Sequence, residues 1–238
     1  MDLELRPIVD DEFPAFNRAV ATAFGVIPTE EELESWQGSL AAERTLAGFD
    51  EGRIVATAGA YTFRLTVPGG AQVPTAGITV VGVHPTHRRR GLLARMMDEQ
   101  LRDVASRGEH LAVLTASESS IYGRFGYGLA TFSTWWQLAT AHAGLADSPT
   151  SGGRIRLADR DTGPAIAQAV FEAARADRVG EVTRDPRYWE RVYREQRGPA
   201  SPDSDGKPFF TAVHEDAGGR PDAFARYRII DDWAHGQP

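Results

Sequence analysis

The sequence predicts an α+β protein: a mixed, mostly antiparallel sheet flanked by helices, followed by a partial second unit built the same way. Three observations carry this prediction. Residues 44–83 hold β-rich runs cut by turn residues at Asp50–Gly52 and at Pro68–Gly70, which reads as successive antiparallel strands. The run "GITVVGVHPTHRRRGLLARMMDEQL" then passes from a strand through a basic connection into a helical period, and "LAVLTAS" returns to a strand. Finally, residues 154–197 open with a strand and helical stretches in the same order as the start of the chain.

Taken in order, Leu3, Leu5 and Ile8 suggest a short first strand, after which Asp10 and Asp11 can cap a helix carrying Phe13, Phe16, Val20 and Phe24 at helical spacing. Gly25 ends that helix. Thr29 and Glu32 form a capping-box pattern, and Glu30–Glu32 give the next helix an acidic first turn that suits its dipole. The β-rich runs follow. Beyond the basic connection, Leu93, Met96, Met97, Leu101 and Val104 repeat at helical spacing until Gly108. A short turn near Ile121 and Tyr122 leads to "LATFSTWWQLA", expected to be a closing strand. "GLADSPTSGGR" is rich in Gly, Ser and Pro, so the expected division is a first domain over 1–145 and a partial second one over 154–238. The second contains a helix "GPAIAQAVFEAARAD", a helical stretch around Trp189 and Tyr193, and the strands "FFTAVHE" and "DAFARYRII".

The chain of 238 residues is long enough to bury a substantial core. Its 26 basic and 33 acidic residues give a net charge of −7, which disfavours broad nucleic-acid binding and suits cationic small molecules. Cysteine is absent, which removes disulfides, thiolate metal sites and a cysteine nucleophile. No signal-peptide pattern opens the chain, and no apolar run approaches the ~20 residues that span a bilayer, so a cytoplasmic protein without membrane association is expected.

The connection holding His87, Arg88, Arg89, Arg90 and Gly91 has two readings. It is either a solvated polar face or an anion-binding loop. At a helix start the first backbone N–H groups are unpaired and positive, and neighbouring guanidinium groups can add charge-assisted bonds to phosphate oxygens. Gly77 and Gly82 in the preceding strand suggest a bulge or a close backbone approach. His84 and His87 have metal-ligand spacing, but the three arginines would repel a cation, so no metal is expected. In "TASESSIYGRFGYG", Tyr122 and Tyr127 follow a buried strand, where ligands often sit; each is a possible proton donor or a packing residue.

The runs "RLTVPGG", "VPTAG", "VGVHPTHRRRGLL" and "ASESSIYGRFGYGLAT", in that order over residues 61–132, closely resemble the enhanced intracellular survival (Eis) family of N-acetyltransferases within the GNAT superfamily. The resemblance implies a GNAT fold and acetyl-coenzyme A as cosubstrate. By motif position it implies that Val81, Gly82 and Val83 contact the pantetheine arm, and that Arg88, Arg89, Gly91, Leu92 and Leu93 surround the pyrophosphate. Leu93 departs from the general GNAT pattern, which has Gly or Ala there. The resemblance also implies Tyr122 as the acid that protonates the departing thiolate, Ser117 as a ligand contact and Trp36 as a wall of the acceptor pocket.

Two functions follow as expectations. One is acetyl transfer to a primary amine of a cationic acceptor: an aminoglycoside, a polyamine or lysine. The other is an acetyl-coenzyme A-binding regulatory or truncated protein with little turnover. The family's base is the carboxylate of its own C-terminus, carried by a third domain, and its assemblies are homo-oligomers, hexamers when full length. The ending "DDWAHGQP" lacks that domain, so a fragment of a longer protein is expected. An amide at Gly82–Val83 is the expected carbonyl-polarising group, at a bulge placed there.

Overall fold

The computed structural model describes residues 3–132, 144, 152–189 and 209–228. Contacts divide the chain into two units, Met1–Gly128 with Arg175–Val192 and Leu129–Ala174 with Tyr193–Pro238.

The first unit is a five-stranded sheet in the order β1-β2-β3-β4-β5, with β1 Glu4–Arg6, β2 Thr45–Asp50, β3 Arg53–Thr66, β4 Gln72–Val83 and β5 Leu111–Leu114. All neighbours are antiparallel except β4 and β5. Helices cover both faces. α1, Phe13–Ala23, packs Phe13 and Phe16 against Ile8, Ala47 and Phe49. On the other face, α3, Leu92–Ser106, packs Met96 against Leu46, Ala56 and Ala58, and Val104 against Ala60, Ala76 and Ile78. α1 thus buries Phe13 and Phe16 of its expected stripe but leaves Phe24, just past its end, 52% exposed, whereas α3 buries Met96, Met97 and Val104. α2, Glu30–Trp36, starts at the predicted capping box: Thr29 Oγ1 accepts from the Glu32 amide at 3.2 Å, and Glu32 Oε2 accepts from the Thr29 amide at 2.7 Å.

The turns follow their residues. Glu51 and Gly52, both left-handed with φ of 48° and 76°, join β2 to β3, a two-residue turn whose twist matches the strands it links. β2 stops pairing with β3 at Thr45↔Gly59, while β3 runs on to Thr66. The edge so left is filled by residues 180–183: the Gly180 amide donates to Thr66 O, the Thr66 amide to Glu181 O and the Thr183 amide to Arg64 O. Residues 175–192 thus group with the first unit, which a single boundary between 145 and 154 does not anticipate.

The second unit contains β6, Gly153–Leu157, α4, Gly163–Arg175 (whose final residue falls in the first unit), β7, Phe210–Asp216, and β8, Pro221–Tyr227, with β7 pairing antiparallel to both β6 and β8. These are the strand, helix and strand pair expected there. The expected closing strand in 129–139 and the helical stretch around Tyr193 fall mostly outside the described residues.

Candidate functional site

β4 is regular until Thr79 and then changes. Thr57 pairs with Gly82 and Gly59 with Thr79, so Val80 and Val81 together oppose Ala58. This is a β-bulge, and Val80 adopts φ of 48°, a conformation that L side chains rarely take. The bulge thus lies at Val80–Val81 and not at Gly82–Val83, where the glycine suggested it. Thr57, 1% exposed, donates its hydroxyl to Val80 O at 2.8 Å and so holds the irregular carbonyl. Gly77 and Gly82 serve close packing instead: a Cβ would lie 2.2 Å from the Phe63 ring at Gly77 and 2.6 Å from Ala23 Cβ at Gly82.

Parallel pairing between β4 and β5 covers Thr75–Ile78 only. Among the described residues, Thr79–Val83 have no strand partner on that edge, so their amides and carbonyls are presented beside the bulge. Side chains alternate around it. Val80 packs with the α1 cluster, whereas Val81 and Val83 pack with Met96 and its neighbours under α3.

The strand runs into the basic connection. His84 and His87 close a short 3-10 turn, and Gly91, with φ of 79°, is the N-cap of α3. Arg89 is also left-handed, with φ of 63°. The first amides of α3 have no intrahelical carbonyl, so the loop and helix start are positive and rich in donors. The arginines differ. Arg88 turns back, donating from Nε to Val83 O and from Nη2 to Ala23 O, each at 3.2 Å, which ties the end of β4 to the end of α1. Arg89 is exposed and its guanidinium has no hydrogen-bond partner among the described residues. Leu92 is buried against Leu3 and Val55 and anchors the helix start; Leu93 is half-buried.

Beyond β5 the chain makes two short 3-10 turns on either side of Tyr122, and the Phe125 amide donates to Tyr122 O at 2.9 Å. Tyr127 packs against the cluster of Ala60, Ala76, Ile78 and Val104 on the α3 face, and its hydroxyl is buried with no partner among the described residues. Burial, with Tyr122 adding a smaller repulsion, pushes Tyr127 up to about 12. Tyr122 stands edge-on to Tyr127 with ring centroids 5.9 Å apart. Burial first, and Glu118 second, raise it above the usual phenol range, so it keeps its proton at neutral pH. Ser117 is exposed in the turn before them.

Trp36 ends α2 half-buried, with its carbonyl accepting from Ser39 Oγ at 2.7 Å. The acidic run of α2 divides its work: Glu32 serves the capping box, Glu30 pairs with Arg18 at 3.0 Å, and Glu31 and Glu34 are exposed. Sequence reading missed Thr57, Val80 and Asp50. A buried threonine in an Ala-rich strand was a faint signal for the first, and nothing in local spacing marked the other two.

Strand, bulge, donor-rich loop and helix start define the class. Residues 4–130 match the acetyltransferase (GNAT) domain family, and the chain belongs to it. Within that family it is homologous to the Eis N-acetyltransferases. It is 32% identical to N-acetyltransferase Eis of Mycobacterium tuberculosis over 96% of this chain and 57% of that protein. An N-acetyltransferase of Streptomyces coelicolor is 39% identical over 98% of the chain and 57% of that protein. The crystal structure of Eis1 from Mycobacterium abscessus superposes with a TM-score of 0.78 at 33% identity, covering 98% of this chain and 54% of Eis1. The chain therefore spans a little over half the length of these relatives.

Proposed function

We propose that the first unit binds acetyl-coenzyme A and transfers its acetyl group to a primary amine of a cationic acceptor. The observation that carries this reading is the edge of β4 at Thr79–Val83, without a strand partner among the described residues and leading directly into the donor-rich loop and the start of α3. A peptide-like pantetheine arm fits a strand edge, and a pyrophosphate fits unpaired helix amides with a free guanidinium nearby. Val81, Gly82 and Val83 offer backbone to the arm. Arg89, Gly91, Leu92 and Leu93 surround the pyrophosphate, and Arg88 supports the end of β4 from its two backbone contacts. Ser117 contacts the ligand from the turn after β5.

In the reaction the acceptor nitrogen attacks the thioester carbonyl carbon, the C–N bond forms, and the C–S bond breaks with its electron pair going to sulfur. Backbone donors at the bulge stabilise the oxygen as charge develops there. Tyr122 gives its phenolic proton to the departing thiolate, and the amine loses its surplus proton to a base. Tyr127 is less suited to this task, because its hydroxyl is enclosed by the core. The acidic composition and the exposed Glu31 and Glu34 favour a cationic acceptor of the aminoglycoside, polyamine or lysine type, with Trp36 at its pocket. A cytoplasmic homo-oligomer completes the proposal.

Calorimetric titration with acetyl-coenzyme A tests the cofactor reading. Saturable one-to-one binding that weakens with salt supports it, and absence of binding at millimolar ligand refutes it.

A further inference from the structure

His84 and His87 belong to a chain of side-chain hydrogen bonds that reaches back to the β2–β3 hairpin. His84 Nδ1 lies 2.7 Å from Thr86 Oγ1, Thr86 Oγ1 lies 2.7 Å from His87 Nδ1, and His87 Nε2 lies 2.9 Å from Asp50 Oδ2. A carboxylate only accepts, so His87 Nε2–H donates to Asp50 Oδ2. The Thr86 amide donates to His84 Nδ1 at 3.4 Å, which caps the short turn and places Thr86 Oγ1 between the two rings.

The chain joins a rigid element to a strained one. Asp50 pairs with Arg53 across the tight turn at Glu51–Gly52, so its position is fixed by the sheet. His87, with its side chain 14% exposed, stands two residues before Arg89, whose left-handed backbone is strained in a residue with a Cβ. Downstream, the loop is fixed by buried Leu92; upstream, its backbone is tied by the His84 amide to Val55 O at 2.8 Å. Between these two points the Asp50–His87 contact links the loop to the β2–β3 hairpin, while Arg88 links it to the end of α1.

We propose that His87 is a positioning residue: through Asp50 and Thr86 it holds Arg89 and Gly91 in the left-handed conformations that shape the anion-binding loop. This rests on reading the loop as the acetyl-coenzyme A site, and it adds residues with no contact to the ligand. Preorganisation then lowers the ordering cost of binding.

Amide hydrogen exchange of the chain without ligand, followed by calorimetric titration with acetyl-coenzyme A, tests it in wild type, His87→Ala, His87→Gln, Asp50→Ala and the Asp50→Ala/His87→Ala double variant. His87→Ala and Asp50→Ala should each speed exchange about tenfold at residues 86–91 while the middle of α3 is unchanged, and should weaken binding about tenfold, equivalent to 1.4 kcal/mol. The double variant should be no worse than either single change, since both remove one link. His87→Gln keeps a side-chain donor and should recover part of the loss. Unchanged exchange in His87→Ala, exchange faster across the whole first unit, or additive losses in the double variant would each overturn the proposal. If wild type binds no acetyl-coenzyme A, the cofactor reading fails, while the exchange pattern still decides whether His87 holds the loop.

Discussion

Replacing Thr57 with valine removes one hydroxyl from beneath the bulge while preserving shape, which makes it a clean probe of the element on which the site is built. Thr57 is 1% exposed and its Oγ1 lies 2.8 Å from Val80 O. Losing the bond and leaving a buried carbonyl unpaired costs about 1–3 kcal/mol. Burying a methyl in place of the hydroxyl returns roughly 0.8 kcal/mol. The net loss is about 0.2–2 kcal/mol, and at about 2–4 °C per kcal/mol for chains of this size the melting transition should fall by up to roughly 8 °C. Function should respond more strongly. Without its support, the left-handed Val80 can relax to a regular strand, and a one-residue slip exchanges the faces of Val81, Gly82 and Val83. Thermal unfolding followed by circular dichroism and acetyl-coenzyme A titration should therefore show a lowered transition and about tenfold weaker binding. A Thr57→Val protein with wild-type melting and wild-type affinity would refute the claim that this hydroxyl holds the bulge.

Arg89→Ala should weaken acetyl-coenzyme A about tenfold to a hundredfold by calorimetry with the melting temperature unchanged, since a charge-assisted phosphate bond contributes about 1.5–3 kcal/mol. Arg88→Ala should instead lower the melting temperature, because it unties Val83 from Ala23. Arg44 and Glu109 form a buried pair at 2.8 Å, so Arg44→Met should destabilise the fold by about 3–5 kcal/mol in denaturant titration, and adding Glu109→Leu should restore most of it. Glu12 is held at about 2, against an ordinary 4.5, first by hydrogen bonds from Arg6 and then by the Val9 amide. A depressed carboxylate stabilises above its unfolded value and loses that contribution as pH falls through the folded one, so the melting difference between wild type and Glu12→Gln should be full above pH 5 and shrink toward pH 2.

Much of the first unit was legible because its signals are local. The capping box at Thr29 and Glu32, the stop at Gly25 and the passage from β4 into α3 each depend on residues within a few positions of one another, and each stands where the spacing put it. The bulge was displaced by two residues because glycine was taken as its marker. Gly77 and Gly82 are there for the Phe63 ring and Ala23, while tertiary support from Thr57 forces a β-branched valine into the unusual conformation. Residues 180–183 complete the edge of β3 from more than a hundred positions away, and no periodicity reports such a partner. The same is true of Asp50, which meets His87 across 37 positions. The spacing of His84 and His87 raised a metal site that the neighbouring arginines argued against; in the fold their rings bond to Thr86 and Asp50.

Steady-state release of free thiol from acetyl-coenzyme A, measured with wild type and Tyr122→Phe over a panel of aminoglycosides, polyamines and lysine peptides, tests the central claim most directly. Amine-dependent thiol release by wild type is expected, and in Tyr122→Phe a turnover lower by ~10²- to 10⁴-fold with cofactor affinity retained, the range of a positioned proton donor. Tyr127→Phe should lose far less. Wild-type turnover in Tyr122→Phe, with chemistry shown to be rate-limiting, would contradict it, as would a wild type that binds acetyl-coenzyme A and releases no thiol to any amine in the panel.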